Sequence, residues 1–536
     1  MFQIFLTIYI HQYIIVRLLS LYRIPMNENK ELKNFLSRIE KLSDAYRSEA
    51  ASKRHQNDFR TARQNLDHLV DENSFIEFGA FAVAAQRSRK DYDALQKETS
   101  ADGVITGFCE INSDTVGKEN ANAVAIIYDY SVLAGTQGYF HHQKLDRIID
   151  KAKKYHLPVV IFTEGGGGRP GDVDVNTQIA GLNVPTFSKW ASLTGSSLRI
   201  AINNGYCFAG NAALFGAADF RIATEKSWIG MAGPAMIEGG GLGKHDPTDI
   251  GPSKMHEMNG VIDFLAKDEE EATDIAKKLL AYFQGNQERF EVSEQNRLRE
   301  LIPKDRKWGY PIRDIIEVIC DQGSFLELRK NYGRSIVTGF FRLEGKPFAL
   351  LASDCQQLGG AIDAMSAEKS AEFLTLCDEH SIPIVALVDT PGFMVGPESE
   401  EESAVTRMSK LFKAGSRLSV PLVAIYLRKG YGLGAMAMVG GSFHEPIYSA
   451  SWPTGEFGGM GLEGAVQLGF KKELEAVEDA KEREILFEQL VASAYEKGKA
   501  IEAAAHLEID AVIDPADSRK IILKAYNSYK KGNTTQ

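Results

Sequence analysis

The chain has 536 residues, too many for one hydrophobic core, so size alone divides it into two or more domains. Hydrophobic residues make up 44% and charged residues 25%, and the formal net charge is -11. That balance excludes nucleic acid and anionic membrane as main partners, because both require clustered positive charge.

Taken in chain order, residues 1–25 come first. They are apolar but are interrupted by His11, Gln12 and Arg17, with Arg23 at the end. They form neither the unbroken apolar run of a spanning helix nor a signal peptide with a basic start and a small-residue cleavage site. We read them as a non-native or disordered extension, with the protein proper opening at Met26. A polar, helix-forming stretch follows, from Asn27 to Arg54. Short strands are expected at Ser74 to Phe78 and Val104 to Phe108. The pair His141-His142 then precedes a helix from Lys144 to Tyr155; without spaced carboxylates the pair suggests no metal site. Pro158 leads into a buried strand, Val159 to Phe162, then the turn Gly165 to Asp172. A second strand, Leu198 to Ile202, leads to the turn Gly205 to Gly210. The polar stretch Gln284 to Lys307 reads as a linker.

Beyond the linker the series repeats. Ser324 to Phe325 and Glu327 echo Ser74, Phe75 and Glu77. Ile336 to Phe340 echoes Val104 to Phe108, and the strand Ile384 to Val388 echoes Val159 to Phe162. Gly430-Tyr431 repeats Gly205-Tyr206, and Trp452 repeats Trp228. The offsets are 250, 232, 225, 225 and 224 residues, in constant order. Five matches in register mean one domain duplicated. In the second copy a helix spans Glu368 to His380, a strand Pro421 to Tyr426, and the turns are Thr390 to Gly396 and Gly430 to Ala435. Strand, crossover helix and strand, with the strands wholly apolar, predicts an α/β fold with largely parallel sheets. The boundaries fall at residues 26–300 and 301–536.

Glycines let several backbone N–H groups converge on one anion, since no Cβ blocks the approach. A nucleotide-phosphate loop is excluded: Gly243-Lys244 comes nearest, but Glu238 stands at the position of the first glycine and His245 follows the lysine. Convergent amides are also what an oxyanion requires, and four such turns imply two oxyanion holes. Glu164 and Asp389 adjoin the turns and read as turn acceptors. The five cysteines, Cys109, Cys207, Cys320, Cys355 and Cys377, form no C-x-x-C pair.

On these residues the chain resembles the carboxyltransferase subunits of biotin-dependent acyl-CoA carboxylases, of the propionyl-CoA, methylcrotonyl-CoA and acetyl-CoA type. The likeness runs from Gln56 to the C-terminus. It rests on Ile336 to Phe340, Ala367 to Lys369, Val388 to Phe393 with Gly396, Arg428-Lys429, Trp452 to Thr454, Met460-Gly461 and Glu463 to Val466. The resemblance implies two tandem crotonase-like ββα-spiral domains and a homo-hexamer in which the first domain of one subunit faces the second of another. It implies acyl-CoA on the first domain and carboxybiotin on the second. The N–H groups of Gly166 and Gly167 are expected to hold the thioester oxygen, and those of Gly434 and Ala435 the ureido oxygen. Arg169, Gly205, Ala209, Gly210, Gly392, Phe393 and Gly432 are expected to contact substrate. Carboxybiotin would lose CO2, its ureido nitrogen would take a proton from the α-carbon (or the vinylogous carbon) of the acyl-CoA, and the enolate would attack the CO2, so no protein base and no metal is needed. No Met-Lys dipeptide is present, so biotin and its carboxylase belong to a partner subunit or carrier domain. The implied location is cytoplasmic, or the mitochondrial matrix in a eukaryote. Three departures from the family pattern bear on the substrate: the added Pro170 to Asp172, the inserted Leu433, and Ala437 where propionyl-type members often carry aspartate. They point to a longer or bulkier acyl group. A decarboxylase subunit running the same half-reaction in reverse, or a non-catalytic complex subunit, are the alternatives.

Overall fold

A computed structural model describes residues 29–175 and 182–533; the expected extension over residues 1–25 lies outside the described residues. The first sheet has seven strands in sequence order: β1 (Ile76–Phe78), β2 (Val104–Glu110), β3 (Asn122–Tyr128), β4 (Val159–Phe162), β5 (Arg199–Phe208), β6 (Phe220–Gly230) and β7 (Phe264–Ala266). Strands β1 to β3 form an antiparallel meander, and β3 to β7 are parallel. The second sheet repeats the plan with β8 (Leu326–Leu328), β9 (Ile336–Leu343), β10 (Lys346–Ser353), β11 (Ile384–Thr390), β12 (Leu422–Tyr431), β13 (Tyr448–Ser451), β14 (Glu456–Gly458) and β15 (Ala511–Val512). There β8 to β10 are antiparallel and β10 to β13 parallel, with β14 alongside the end of β12. Four of the repeated sequences fall on matching strands or their approaches, while Trp228 lies in β6 and Trp452 just after β13. The central ones are buried on both faces, which is why they read as unbroken apolar runs.

Six helices position the site: α1 (Ser48–Gln56), α2 (Tyr139–Tyr155), α3 (Gly210–Gly216), α4 (Glu269–Phe283), α5 (Ala364–Glu379) and α6 (Gly432–Met438). The crossover helices α2 and α5 each begin about one turn earlier than their apolar pattern suggested. In α5 the cause is Asp363, whose side chain accepts the Ser366 N–H at 2.7 Å as an N-cap. Strands β5 and β12 run further than expected, through Gly205-Tyr206 and Gly430-Tyr431. A register shift between Asn203 and Gly205 absorbs the irregularity, and pairing with β6 resumes from Gly205 to Phe208.

The two halves share one core. A continuous apolar cluster contains Ala125, Val160 and Ile200 of the first sheet, Ala272, Ala276, Leu279 and Leu280 of α4, and Phe340, Leu351 and Ala424 of the second sheet. At its centre the Phe340 ring lies 5.8 Å from Phe220, 5.2 Å from Phe283 and 5.4 Å from Phe373. Among the described residues no helix is long and apolar enough to cross a membrane.

Candidate active site

In each half, the turn after the central strand is packed on the turn that opens the next helix. In the first half, Gly165 donates its N–H to Tyr206 O at 2.7 Å, and its own carbonyl accepts from Phe208 N–H at 2.9 Å. Gly167 has φ +86°, and a Cβ there would come within 2.8 Å of the Ala209 Cβ. In the second half, a Cβ on Gly434 would meet the Gly392 carbonyl carbon at 2.6 Å, its Cα at 2.7 Å and Phe393 N at 2.8 Å. Gly167 with Ala209, and Gly392 with Gly434, are the same contact made twice.

The open amides of the first half differ from those the family pattern pointed to. The Gly166 N–H donates to Ala134 O at 3.1 Å, and the Gly167 N–H donates to Asn211 Oδ1 at 3.0 Å. Both are therefore taken within the chain. The Asn211 carboxamide is buried, and its Nδ2 donates to Thr163 O at 3.0 Å, which fixes its orientation. Among the described residues the Gly168 and Gly210 N–H groups, one residue further along each turn, donate to no acceptor. Gly168 is exposed, and Gly210 is the first residue of α3, where no intrahelical acceptor exists. The register slips by one because the longer glycine run spends its first amides on its own scaffold.

In the second half, Gly392 N–H donates to Thr390 Oγ1 at 3.1 Å, and Met394 N–H donates to Ile362 O at 2.8 Å. The Phe393 N–H between them has no acceptor among the described residues. Gly434 is the third residue of α6, whose N–H is likewise without an intrahelical partner, and Ala435 is buried beside it. Gly432, at φ +58°, begins the helix and lines a cleft of about 590 Å³ with Phe457, Gly458 and Lys497.

Arg169 is not available to a ligand. Its side chain is 6% exposed, and its guanidinium is paired with Asp102 and donates to Asp172 at 2.9 Å. The added Pro170 to Asp172 thus supplies a clamp for the turn. Burial pushes the Asp102 carboxyl up to about 6, with Arg169 pulling the other way. Gly205 is buried, and at φ +97° its missing Cβ leaves room for the Glu164 carboxylate. Arg54 of α1 donates to both Glu164 oxygens, at 2.8 and 2.7 Å, while burial pushes that carboxyl up to about 7. The second-half counterpart, Asp389, accepts from Tyr310 Oη at 2.8 Å, Arg428 Nε at 3.2 Å and Lys429 N–H at 3.1 Å.

Sequence reasoning overlooked two buried lysines. Lys144 of α2 donates to the carbonyls of Ala101 and Val104. Lys369 of α5 donates to those of Arg329, Tyr332 and Ile336, at 3.1, 3.0 and 2.8 Å. Burial pulls the two ammonium groups down to about 8 and about 7. They stand 225 residues apart, the offset of the duplication, and that identity was the signal available. His141 is buried and donates its N–H to Asp102, whereas His142 faces Thr186 Oγ1 at 2.9 Å; both serve the scaffold. All five cysteines are buried and unpaired.

Two sheets of matching strand order, each carrying stacked turns with amide N–H groups that have no acceptor among the described residues, form a crotonase-like fold. The carboxyl transferase domain model matches residues 53–536, and the chain belongs to that family of carboxyltransferases. It is 31% identical over 535 residues to the methylmalonyl-CoA carboxyltransferase 12S subunit of Propionibacterium freudenreichii subsp. shermanii, covering 95% of this chain and 98% of that one. A 12S crystal structure with methylmalonyl-CoA bound, described as a hexamer assembly, superposes with a TM-score of 0.82 at 28% identity, covering 95% of this chain and 97% of the other. A single-chain, multi-domain long-chain acyl-CoA carboxylase superposes with a TM-score of 0.88 at 49% identity over 93% of this chain. The chain spans 49% of the length of that protein.

Proposed function

We propose that this chain transfers a carboxyl group from carboxybiotin to the α-carbon of a long-chain acyl-CoA, with residues 26–300 binding the acyl-CoA and 301–536 the biotin. The observation that carries the reading is the stacked pair of turns present in both halves, since the reaction passes through two carbonyl-derived oxyanions. The thioester oxygen would lie between the Gly168 and Gly210 amides, and the ureido oxygen between Phe393 and Gly434-Ala435. Each preorganised donor contributes about 3–4 kcal/mol to lowering the barrier. Carboxybiotin, when bound, would supply both the carboxyl group and the base, so the protein would contribute position and charge stabilisation.

A long acyl chain is supported by the 49% identity to the long-chain carboxylase. Biotin would arrive on a carrier outside these 536 residues. A hexamer, as in the 12S relative, is supported by apolar residues exposed around both pairs of turns. Met231 and Leu242 are each 74% exposed in the first half, and Val395 is 81% exposed in the second. A cytoplasmic location goes with this reading.

The test is carboxyl transfer from a panel of α-carboxyacyl-CoAs to free biocytin by the purified full chain. The expected result is transfer, with kcat/KM rising from methylmalonyl-CoA to carboxylated acyl groups of twelve carbons or more, roughly tenfold for each 1.4 kcal/mol of added apolar contact. No transfer with any donor, from a folded oligomer, refutes the carboxyltransferase reading; transfer favouring the short donors refutes the long-chain part alone.

A further inference from the structure

Glu164 and Asp389 hold the same place in the two halves. Each stands just before the first turn of its half, at the end of or just beyond its central strand, and they are 225 residues apart. Both are buried, at 8% and 0% exposure. Each also reaches across to the strand that leads into the second turn. The Glu164 carboxylate occupies the space left by Gly205 on β5, and Asp389 Oδ1 accepts the Lys429 N–H of β12 at 3.1 Å. An amide pair drawn from two turns is only as well placed as the spacing of the strands that carry them. In each half a single carboxylate spans that spacing.

The counter-ions differ. Glu164 is held by Arg54, which comes from α1, 110 residues earlier in the chain. Asp389 is held by Arg428 of β12 and by Tyr310, and Arg428 Nη1 further donates to Arg306 O at 3.0 Å and Trp308 O at 2.8 Å. Tyr310, Arg428 and the Lys429 amide donate to Asp389, and the Lys429 ammonium lies 3.6 Å from its Oδ1, so the carboxylate is committed to partners within the chain. Both carboxylates are buried and are held by donors within the chain, which points to a positioning role.

We propose that Glu164 and Asp389 are the positioning residues of the two oxyanion holes, Glu164 with Arg54 serving the acyl-CoA half and Asp389 with Arg428 serving the biotin half. This rests on the carboxyltransferase reading above and assigns α1, distant in sequence from either turn, to the acyl-CoA site. The geometry predicts a division that a purely structural role does not. Loosening one half displaces only the substrate bound there.

The experiment uses the full chain, with transfer to biocytin measured over ranges of both substrates. Arg54→Met and Glu164→Gln are each expected to lower kcat about 10²-fold, the penalty of a misplacement near 1 Å. Both are also expected to raise KM for the acyl-CoA while leaving KM for biocytin unchanged. The double variant should be no worse than either single one, because the two side chains act as a unit. Asp389→Asn is expected to give the mirror image, raising KM for biocytin alone. Should these variants fold poorly, Arg54→Lys and Arg428→Lys keep the charge, lose the forked geometry and are expected to show the same division in milder form. Equal effects on both KM values, or a lower melting temperature with unaltered kinetics, overturns the proposal. An inactive wild-type chain would instead count against the function itself.

Discussion

Gly434→Ala tests the stacking of the turns with one methyl group. Gly434 does not have a positive φ, so alanine meets no backbone strain there, and crowding is the whole effect. The added Cβ would lie 2.6 to 2.8 Å from three backbone atoms of Gly392 and Phe393, none of which is the end of a yielding side chain. Restoring ordinary contact requires the two turns to separate by roughly 0.8 Å, since carbon atoms rest at about 3.5 Å or more. A shift of that size carries the Phe393 and Gly434 amides apart and is expected to lower kcat for transfer about 10²-fold. Overpacking costs a further ~1–3 kcal/mol of stability. The assay is transfer from the α-carboxyacyl-CoA panel to biocytin, with thermal unfolding followed on the same sample. Gly469→Ala is the control: no atom lies within 4 Å of its Cβ position, and it ends a helix, so wild-type rates are expected. A folded Gly434→Ala protein with a rate within about twofold of wild type would refute the reasoning, because a stack that tolerates such separation does not set the donor geometry.

Three further outcomes are expected. Because burial raises the Asp102 carboxyl from its usual 3.8 to about 6, its protonation favours the folded state. Its contribution to stability is therefore greatest below about pH 4 and declines as pH rises towards 6. The Arg169 clamp needs the carboxylate, so transfer should fall below pH 6 while stability, taken as the difference from Asp102→Asn, does not; a parallel fall of both would contradict this assignment. Lys369→Met keeps bulk but leaves the carbonyls of Arg329, Tyr332 and Ile336 without their buried donor, and urea unfolding should show a loss of about 3 kcal/mol. Phe340→Ala, at the aromatic junction of the two sheets, should cost about 3–5 kcal/mol and leave one unfolding transition, since both halves share that core; two separated transitions would show independent domains.

The duplication was legible because buried parallel strands must be apolar and the turns between them must be glycine, and both leave marks in sequence. Four of the five matched segments fall on corresponding strands and turns; Trp452 lies just past β13, whereas Trp228 lies within β6. Donor assignment was less legible. Whether an amide points outward or is spent on the scaffold depends on residues distant in the chain: Ala134 and Asn211 take the Gly166 and Gly167 N–H groups. Nothing near residue 166 encodes that. Arg169 beside a glycine run looks like an anion ligand until Asp102 is found 67 residues earlier, closing the clamp. Glu164 and Asp389 were visible as acids beside turns, but their reach to Gly205 and Lys429 was not, because it depends on how β4 meets β5 and β11 meets β12.

The residues common to the two halves are largely the buried ones. Lys144 and Lys369 tie their crossover helices to backbone carbonyls, while Glu164 and Asp389 span the turn-bearing strands. None of these four depends on what lies outside the turns, so a duplicated domain keeps them whatever each copy binds. The differences lie outward. The first turn is held by the polar clamp of Arg169, Asp102 and Asp172 and exposes bare glycine at Gly168. The second presents Phe393, Val395 and Leu433, the last two 81% and 61% exposed. On the proposed reading, the bare backbone of the first half would admit the acyl thioester and the apolar rim of the second would face the biotin ring. Exchanging the rims while leaving the buried frame intact is therefore the change expected to alter which substrate each half accepts without altering its fold.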